Sequence, residues 1–498
     1  MMHDREKSDG RVLPVKLPNN AQGGAAEAVE GRRSAKGNMA SETRSGPSAG
    51  QGALSELGRV RRVAATDKEA RFTALLHHVD VDRLRAAYFA LSPKAAPGAD
   101  GVTWADYGVD LEDNLRDLHA RVHRGAYRAR PSRRVYIPKP DGRQRPLGVA
   151  ALEDKILQRA LVEVLNAIYE TDFLGFSYGF RPGRSPHHAL DALAAGIVGK
   201  KVDWVLDADF SEYFSSLDHQ WLVKFVEHRI ADRRVLRLIQ KWLAAGVIEN
   251  GSWTAFEEGV PQGASVSPLL ANVYAHYVLD LWTHQWRRRH ARGDVIIVRW
   301  ADDFVVGFEH REDAERFWAE LRDRLAKFGL ELNAEKTRLI EFGRHAARDR
   351  KARGLGKPET FQFLGFTHIC GTTRKSGRFK LRRITDSKRV RAKLLAVKRG
   401  MARRMHQPIP EQGRWLARVL QGHYNYYAVP DNIEALRAFR EGLIRRWLRS
   451  LRRRSQRSRL TWQRMGRLAD RWLPQPRILH PWPEQRFAAI TQGRSPVR

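Results

Sequence analysis

Residues 295–308 read VIIVRWADDFVVGF. Apolar runs on either side of a tight centre, Trp300-Ala301-Asp302-Asp303, predict two strands folded into a hairpin. Upstream, VLDADFSEYFSSLDH (205–219) begins inside a second predicted strand, Val202 to Phe210. There Val202, Trp204 and Leu206 alternate with the other face, and Asp207 and Asp209 close the strand. Isolated carboxylates in such apolar settings cost several kcal/mol of desolvation unless they are paired or metal-bound. Four acids on two strand ends therefore predict a Mg²⁺ cage. Mg²⁺ takes carboxylate and substrate phosphate oxygens, and two such ions can clamp the attacking and leaving oxygens of phosphoryl transfer. Taken alone, each acid pair also reads as ordinary turn chemistry, since Asp is common in turns and at strand ends.

The composition around these acids narrows the partner. Lys and Arg number 89 against 56 Asp and Glu, a formal net charge of +33. That excess calls for a polyanion, and nucleic acid is the foremost one. A histone-like tail would not carry 14 Trp and 20 Phe. At roughly 150 residues per domain, 498 residues give about three domains. The single cysteine, Cys370, excludes an intramolecular disulfide framework and a multi-cysteine zinc module. The first residues are polar and no run of about 18 apolar residues occurs, so a soluble intracellular protein without a membrane partner is expected.

Residues 1–60 contain no Phe, Trp or Tyr, and 1–65 are expected to form a disordered leader. Phe72, Leu75, Leu76 and Val79 stand at helical spacing and predict a first helix, with another near 84–91. Residues 93–104 form a connector rich in Pro and Gly. Arg134 to Pro138 reads as a strand, Lys139 to Gly142 as its turn, and 152–169 and 313–328 as helices. After about residue 380 strand signals vanish. Between Arg445 and Arg459 lie eight arginines and no acid, with Trp447, Leu448 and Leu451 interleaved, which predicts a helix with an apolar side and a phosphate-binding side.

The order of these blocks is that of a polymerase palm. VLDADFSEYFSSLDH (205–219), VPQGASVSPLLANVYAHYVLD (260–280) and RWADDFVVGF (299–308) resemble three successive blocks of reverse transcriptases. RPLGVAALEDKILQRAL (145–161), SYGFRPGRSPHHAL (177–190), LELNAEKT (330–337) and FQFLGF (361–366) are similar to blocks of the bacterial group II intron-encoded proteins. WLARVLQGHYNYYAVPDN (415–432) resembles that family's maturase domain. The likeness covers roughly 66–487. It implies an α+β fold in which the fingers and palm of a right-hand polymerase, an antiparallel sheet with helices, precede an all-α thumb or maturase domain. The implied divisions are a helical extension at 66–117, fingers and palm at 118–366, maturase domain at 380–472 and a tail at 473–498.

Carried onto this chain, the resemblance makes Asp209, Asp302 and Asp303 catalytic and metal-binding, with the Phe210 carbonyl as a further ligand and Asp207 structural. Two Mg²⁺ ions are implied, with Mn²⁺ as a substitute. Lys139 and Arg145 would contact the incoming triphosphate, and Phe214 would stack under its sugar and exclude a 2′-hydroxyl. Gln262 would face the sugar and template pair, Gly263 would allow close backbone approach, and Lys336 could donate a proton to pyrophosphate. Arg445, Arg446, Arg449, Arg452, Arg453 and Arg454 would bind RNA.

The implied activity is RNA-directed DNA polymerisation from dNTPs on an RNA template with a DNA primer. Intron splicing assistance and mobility go with it. The implied partners are group II intron RNA and, as a ribonucleoprotein, target DNA, in a bacterial cytoplasm and at the nucleoid. The competing readings are an RNA-binding splicing cofactor with weak or no polymerase activity, and a domesticated defence enzyme. Intact aspartates speak against the first and the maturase-like block against the second. No endonuclease domain is expected, so second-strand priming would come from elsewhere. Where relatives place tyrosine before Ala-Asp-Asp, this chain has Trp300, expected by strand alternation to share a face with Asp302 and to be accommodated.

Overall fold

The computed structural model describes residues 50–138, 144–255, 258–455 and 458–486. In chain order the elements are α1 (Gly50–Thr66), α2 (Val81–Phe89), α3 (Trp104–Tyr107), α4 (Leu111–His123), β1 (Ser132–Pro138), β2 (Gln144–Val149), α5 (Leu152–Asp172), α6 (Pro186–Gly199) and β3 (Trp204–Asp209). There follow α7 (His219–Glu227), α8 (Arg233–Ala244), β4 (Val247–Glu249), β5 (Ser252–Thr254), α9 (Ser267–Ala275), α10 (Leu281–Arg289), β6 (Val295–Trp300), β7 (Asp303–Phe308) and α11 (Arg311–Ala326). The chain continues through β8 (Arg338–Glu341), α12 (Ala346–Ala352), β9 (Phe361–Phe363), β10 (Phe366–Thr372) and β11 (Phe379–Thr385). Four helices follow: α13 (Ser387–Ala402), α14 (Ile409–Tyr427), α15 (Ile433–Arg452) and α16 (Trp462–Trp472).

The central sheet has the order β6-β7-β3-β8, antiparallel throughout. Both of its faces are covered. Leu206, Ala208, Phe304, Val306 and Phe308 enter one core with α5, α9 and α11. Val205, Ile296, Val298 and Val305 enter a second core with α6 and the β9–β11 sheet. A second four-stranded sheet, β2-β1-β4-β5, is mixed: β1 pairs antiparallel with β2 and parallel with β4. The last four helices enclose a third core, where Leu436, Phe439, Leu443, Trp447 and Leu451 of α15 follow helical spacing. The Trp447 indole N–H in that core donates to Gln412 Oε1 at 2.8 Å, so its polar atom is satisfied where the ring is buried.

Three sequence expectations change. The disordered leader does not extend to residue 65, because Gly50–Thr66 is helical. Leu57, Val60 and Ala64 form a narrow apolar stripe against the first core, and no aromatic residue is needed. The buried Arg229 guanidinium donates to the Ala64, Asp67 and Ala70 carbonyls at 3.1–3.2 Å, satisfying the end of α1. Residues 1–49 lie outside the described residues.

The helix expected from Phe72 to Val79 is a single 3₁₀ turn at Leu76–His78. Phe72 bridges Ile230, and the Asp232 carboxylate accepts the Leu75 and Leu76 amides at 2.8 and 3.0 Å, replacing helical acceptors. Strand structure does not stop at 380 either: β10 and β11 form a hairpin ending at Thr385. Its alternation is hidden because one inward position holds Arg383, buried against Asp191 at 2.8 Å. The Arg486 guanidinium reaches the same Asp191 carboxylate at 2.9 Å. Among the described residues no helix is long and apolar enough to cross a membrane.

Candidate active site

Register brings the acids together. Asp209 at the end of β3 lies opposite Asp303 at the start of β7, and Asp303 lies opposite Trp300 of β6. Residues directly opposite share a face, so Trp300, Asp303 and Asp209 form one row across three strands. This corrects the expected pairing of Trp300 with Asp302. Ala301 and Asp302 make the hairpin turn, and strand alternation ends at Trp300. Trp300 packs half-buried against the second core.

Ala301 has φ +57°, a left-handed conformation that a non-glycine residue holds only under constraint. The constraints are visible. The Arg299 Nη1 donates to the Ala301 carbonyl at 2.9 Å, and the Phe210 amide donates to the Asp302 carbonyl at 3.3 Å. The backbone of Gly179 presses on the turn so closely that a Cβ there would sit 2.4 Å from the Ala301 nitrogen. Arg299 is a hub that sequence reading missed. Fully buried, it donates to both Asp280 oxygens at 2.8 and 2.6 Å, to Ser177 Oγ at 2.7 Å and to Asn272 Oδ1 at 3.1 Å. Asn272 in turn donates to the Gly179 carbonyl at 2.7 Å. An arginine inside an otherwise apolar strand run, followed closely by the acids, was the available signal.

Unbalanced negative charge marks the row. Burial, and then the neighbouring Asp207, Asp209 and Asp302, hold the Asp303 carboxyl well above the usual range. Burial and Asp209 raise Asp302 as well, against the fields of Arg145 and Lys336. Burial pushes Asp207 up to about 6 despite Arg338 at 3.6 Å. The Lys336 ammonium forms an ion pair with the Asp209 carboxylate, and the Asn333 amide donates to the Asp209 carbonyl at 2.8 Å. Among the described residues, the single trio of His, Cys, Asp or Glu ligand atoms all within 4.8 Å of one another is Glu56, His77 and His78. The aspartates thus stand further apart than that. Oxygen-only donors, an excess of negative charge and partial burial together suit a hard divalent cation.

Phe214 sits in a one-turn 3₁₀ helix, Tyr213–Ser215, and its carbonyl accepts the Val260 amide at 2.7 Å. The Gln262 amide nitrogen reaches Ser215 Oγ at 3.5 Å, and the Gln262 carbonyl accepts the Gly148 amide at 2.8 Å. Gly263, at φ +120°, would place a Cβ 2.7 Å from the Gly148 carbonyl, so only glycine permits this docking of β2. Arg145 is exposed on β2, near enough to influence Asp302. Phe210 is buried, its ring stacked on Tyr213 at 4.8 Å. Lys139 lies outside the described residues.

The arginines expected to bind RNA are not part of this row. Arg445, Arg449, Arg452 and Arg453 are exposed at the end of α15, Arg446 and Arg454 half-buried. Arg452 donates to the Leu460 carbonyl at 2.9 and 2.8 Å, and Arg454 to the Met405 and Gln407 carbonyls. Sequence reading passed over α13, where Lys388, Arg389, Arg391, Lys393, Lys398 and Arg399 are all exposed and no acid intervenes. Tyr424, Tyr426 and Tyr427 pack inward, with the Tyr426 hydroxyl donating to the Leu364 carbonyl at 2.8 Å.

A central antiparallel sheet that presents carboxylates at a hairpin and at the end of the adjoining strand defines the palm of a nucleic-acid polymerase. The profile of the family described as "Reverse transcriptase (RNA-dependent DNA polymerase)" matches residues 137–368. Protein YkfC of Escherichia coli K12 is 36% identical over 311 residues, covering 55% of this chain and 81% of YkfC. The group II intron-encoded protein LtrA of Lactococcus lactis subsp. cremoris is 27% identical over 409 residues, covering 66% of this chain and 65% of LtrA. The chain therefore belongs to the reverse transcriptase family, in its group II intron-encoded, maturase-related branch. Its enzymatic class is RNA-directed DNA polymerase, a family that uses divalent metal ions and nucleic-acid substrates.

Proposed function

We propose that this polymerase copies intron RNA into DNA at the carboxylates of Asp209, Asp302 and Asp303 and assists splicing of the same RNA through its helical C-terminal region. The supporting observation is the register that aligns Asp209 with Asp303 and closes Asp302 into the turn between β6 and β7. Asp209, Asp302, Asp303 and the Phe210 carbonyl would hold two Mg²⁺ ions, or Mn²⁺ in their place. When bound, such ions activate the primer 3′-oxygen and stabilise charge on the leaving pyrophosphate.

The protein's own residues orient the reactants. Arg145, exposed on β2, grips the triphosphate, the role expected of Lys139 as well. Phe214 lies beneath the deoxyribose and excludes a 2′-hydroxyl, while Gln262 and Gly263 bring the backbone close to the nascent pair. Lys336, paired with Asp209, would be the proton donor to the leaving pyrophosphate. Arg445, Arg449, Arg452 and Arg453, the exposed members of the expected set, give the helical region a phosphate-facing stripe for intron RNA, and the ribonucleoprotein so formed would engage target DNA.

Primer extension tests the reading. With Mg²⁺, dNTPs, an RNA template and a DNA primer, the protein should extend, and Asp302→Ala or Asp303→Ala should lower the rate by several orders of magnitude. Full extension by either variant overturns the assignment. Asp302→Ala should still support intron splicing, because RNA binding does not require the polymerase metals.

A further inference from the structure

The corner Tyr178–Arg181 contains one anomalous residue. Tyr178 and Arg181 are buried, but Phe180 between them is 42% exposed and has φ +59°. A phenylalanine here carries two penalties at once: left-handed backbone strain and an apolar ring in water. Glycine or asparagine would relieve both. The corner cannot relax, because it is held from both sides. Arg181 donates to the Leu174 and Ser177 carbonyls at 2.8 Å and pairs with Glu170 at 3.0 Å. On the other side Gly179 is wedged against Ala301, and the Tyr178 amide donates to the Arg299 carbonyl at 2.9 Å.

The Phe180 ring goes to one place that matters chemically. It meets Phe214 edge to face, with centroids 6.2 Å apart and planes at 79°, a favoured aromatic geometry. Phe214 is otherwise flanked by Tyr213 at 5.7 Å, also edge-on. Phe214 thus stands between a buried ring and an exposed one. Its backbone is fixed by the Val260 amide, but on the solvent side its ring is fixed by Phe180. Because the same corner leans on Ala301, the position of Phe180 is also tied to the turn carrying Asp302.

We infer that Phe180 is a specificity-determining positioning residue. It buttresses the Phe214 ring so that the pocket rejects a ribonucleoside triphosphate in favour of the deoxy substrate. The inference rests on the reading of Phe214 as the sugar gate. Without the buttress the Phe214 ring gains room to tilt toward the cleft's open side, and a 2′-hydroxyl is admitted.

The test uses the full chain in single-nucleotide extension of a DNA primer on an RNA template, with matched deoxy- and ribonucleoside triphosphates. Phe180→Gly removes the ring and suits the left-handed backbone, Phe180→Tyr keeps the ring, and Phe214→Ala removes the gate. Phe180→Gly should lower the deoxy-to-ribo ratio of kcat/KM about tenfold, chiefly through a lower KM for the ribonucleotide. Phe180→Tyr should retain the ratio. Phe180→Gly added to Phe214→Ala should cause no further loss, since the buttress acts through the gate. If Phe214→Ala lowers the ratio and Phe180→Gly does not, the buttress is overturned and the gate stands. If neither changes it, both are overturned. Equal loss with both nucleotides, accompanied by a lower melting temperature in Phe180→Gly, assigns Phe180 a structural role and overturns the inference.

Discussion

Arg299 and Asp280 form an ion pair that solvent does not reach, with two hydrogen bonds of 2.8 and 2.6 Å between them. Neither residue is an expected ligand or substrate contact, yet the arginine also holds the carbonyl of the turn that carries Asp302.

Arg299→Met would leave Asp280 buried without its partner. Removing one member of such a pair costs about 3–5 kcal/mol. Urea denaturation should show a loss of that order, with extension reduced as the turn loosens. A loss below about 1 kcal/mol would mean that the hub is dispensable.

Asp154 supplies a pH signature away from the carboxylate row. Burial pushes its carboxyl up to about 6, against hydrogen bonds from the Tyr127 hydroxyl and the Arg130 amide. The native state keeps a proton that the unfolded chain releases at about pH 4. The stabilisation is complete below that pH and is lost as pH rises through about 6. Between those limits the wild-type chain should lose about 2–3 kcal/mol relative to Asp154→Asn, which has no proton to release. Parallel stability curves for the two proteins would contradict this.

Trp300→Tyr should change the extension rate by less than about tenfold, or about 1.4 kcal/mol. Trp300 is only half-buried beside the second core, so a smaller ring leaves space that solvent can fill. A larger gain in rate would identify the parent as a weakened polymerase and favour the splicing-cofactor reading.

The arginine stripe divides into two kinds of residue. Neutralising Arg449 and Arg453, both exposed, should flatten the salt dependence of intron RNA binding, with the melting temperature unchanged. The log-log slope should fall by about one unit for each phosphate that is no longer neutralised. Arg454→Ala should instead lower the melting temperature, because it strips donors from the Met405 and Gln407 carbonyls. Equal effects of both changes on RNA affinity and on melting would erase the distinction.

The carboxylate hairpin was legible because its signals are local: apolar runs, a tight centre and acids at fixed positions along two strands. The helices at 152–172 and 311–326 were legible by periodicity for the same reason. What escaped depends on partners distant in sequence. Leu75 and Leu76 obey helical spacing, but the Asp232 carboxylate, over 150 residues away, takes their amides. Arg383 falls where strand signals vanish along the chain, and only its partner Asp191 on α6 accounts for its burial. Trp300 was assigned to the wrong neighbour because strand alternation does not survive a turn. The basic face of α13 was in plain view in the composition and was passed over for the denser run at 445–459.

The strand order β6-β7-β3-β8 also has a consequence in time. A ribosome delivers β3 with both edges bare, and its two neighbours, β7 and β8, begin at Asp303 and Arg338. More than ninety residues, including α7 to α10, must be translated before the first of these partners emerges. Until then Asp207 and Asp209 end an unpaired apolar strand, open to mispairing. The nascent chain therefore has no functional centre through most of its synthesis, and gains one only when the hairpin and the strand after it close on β3 from both sides.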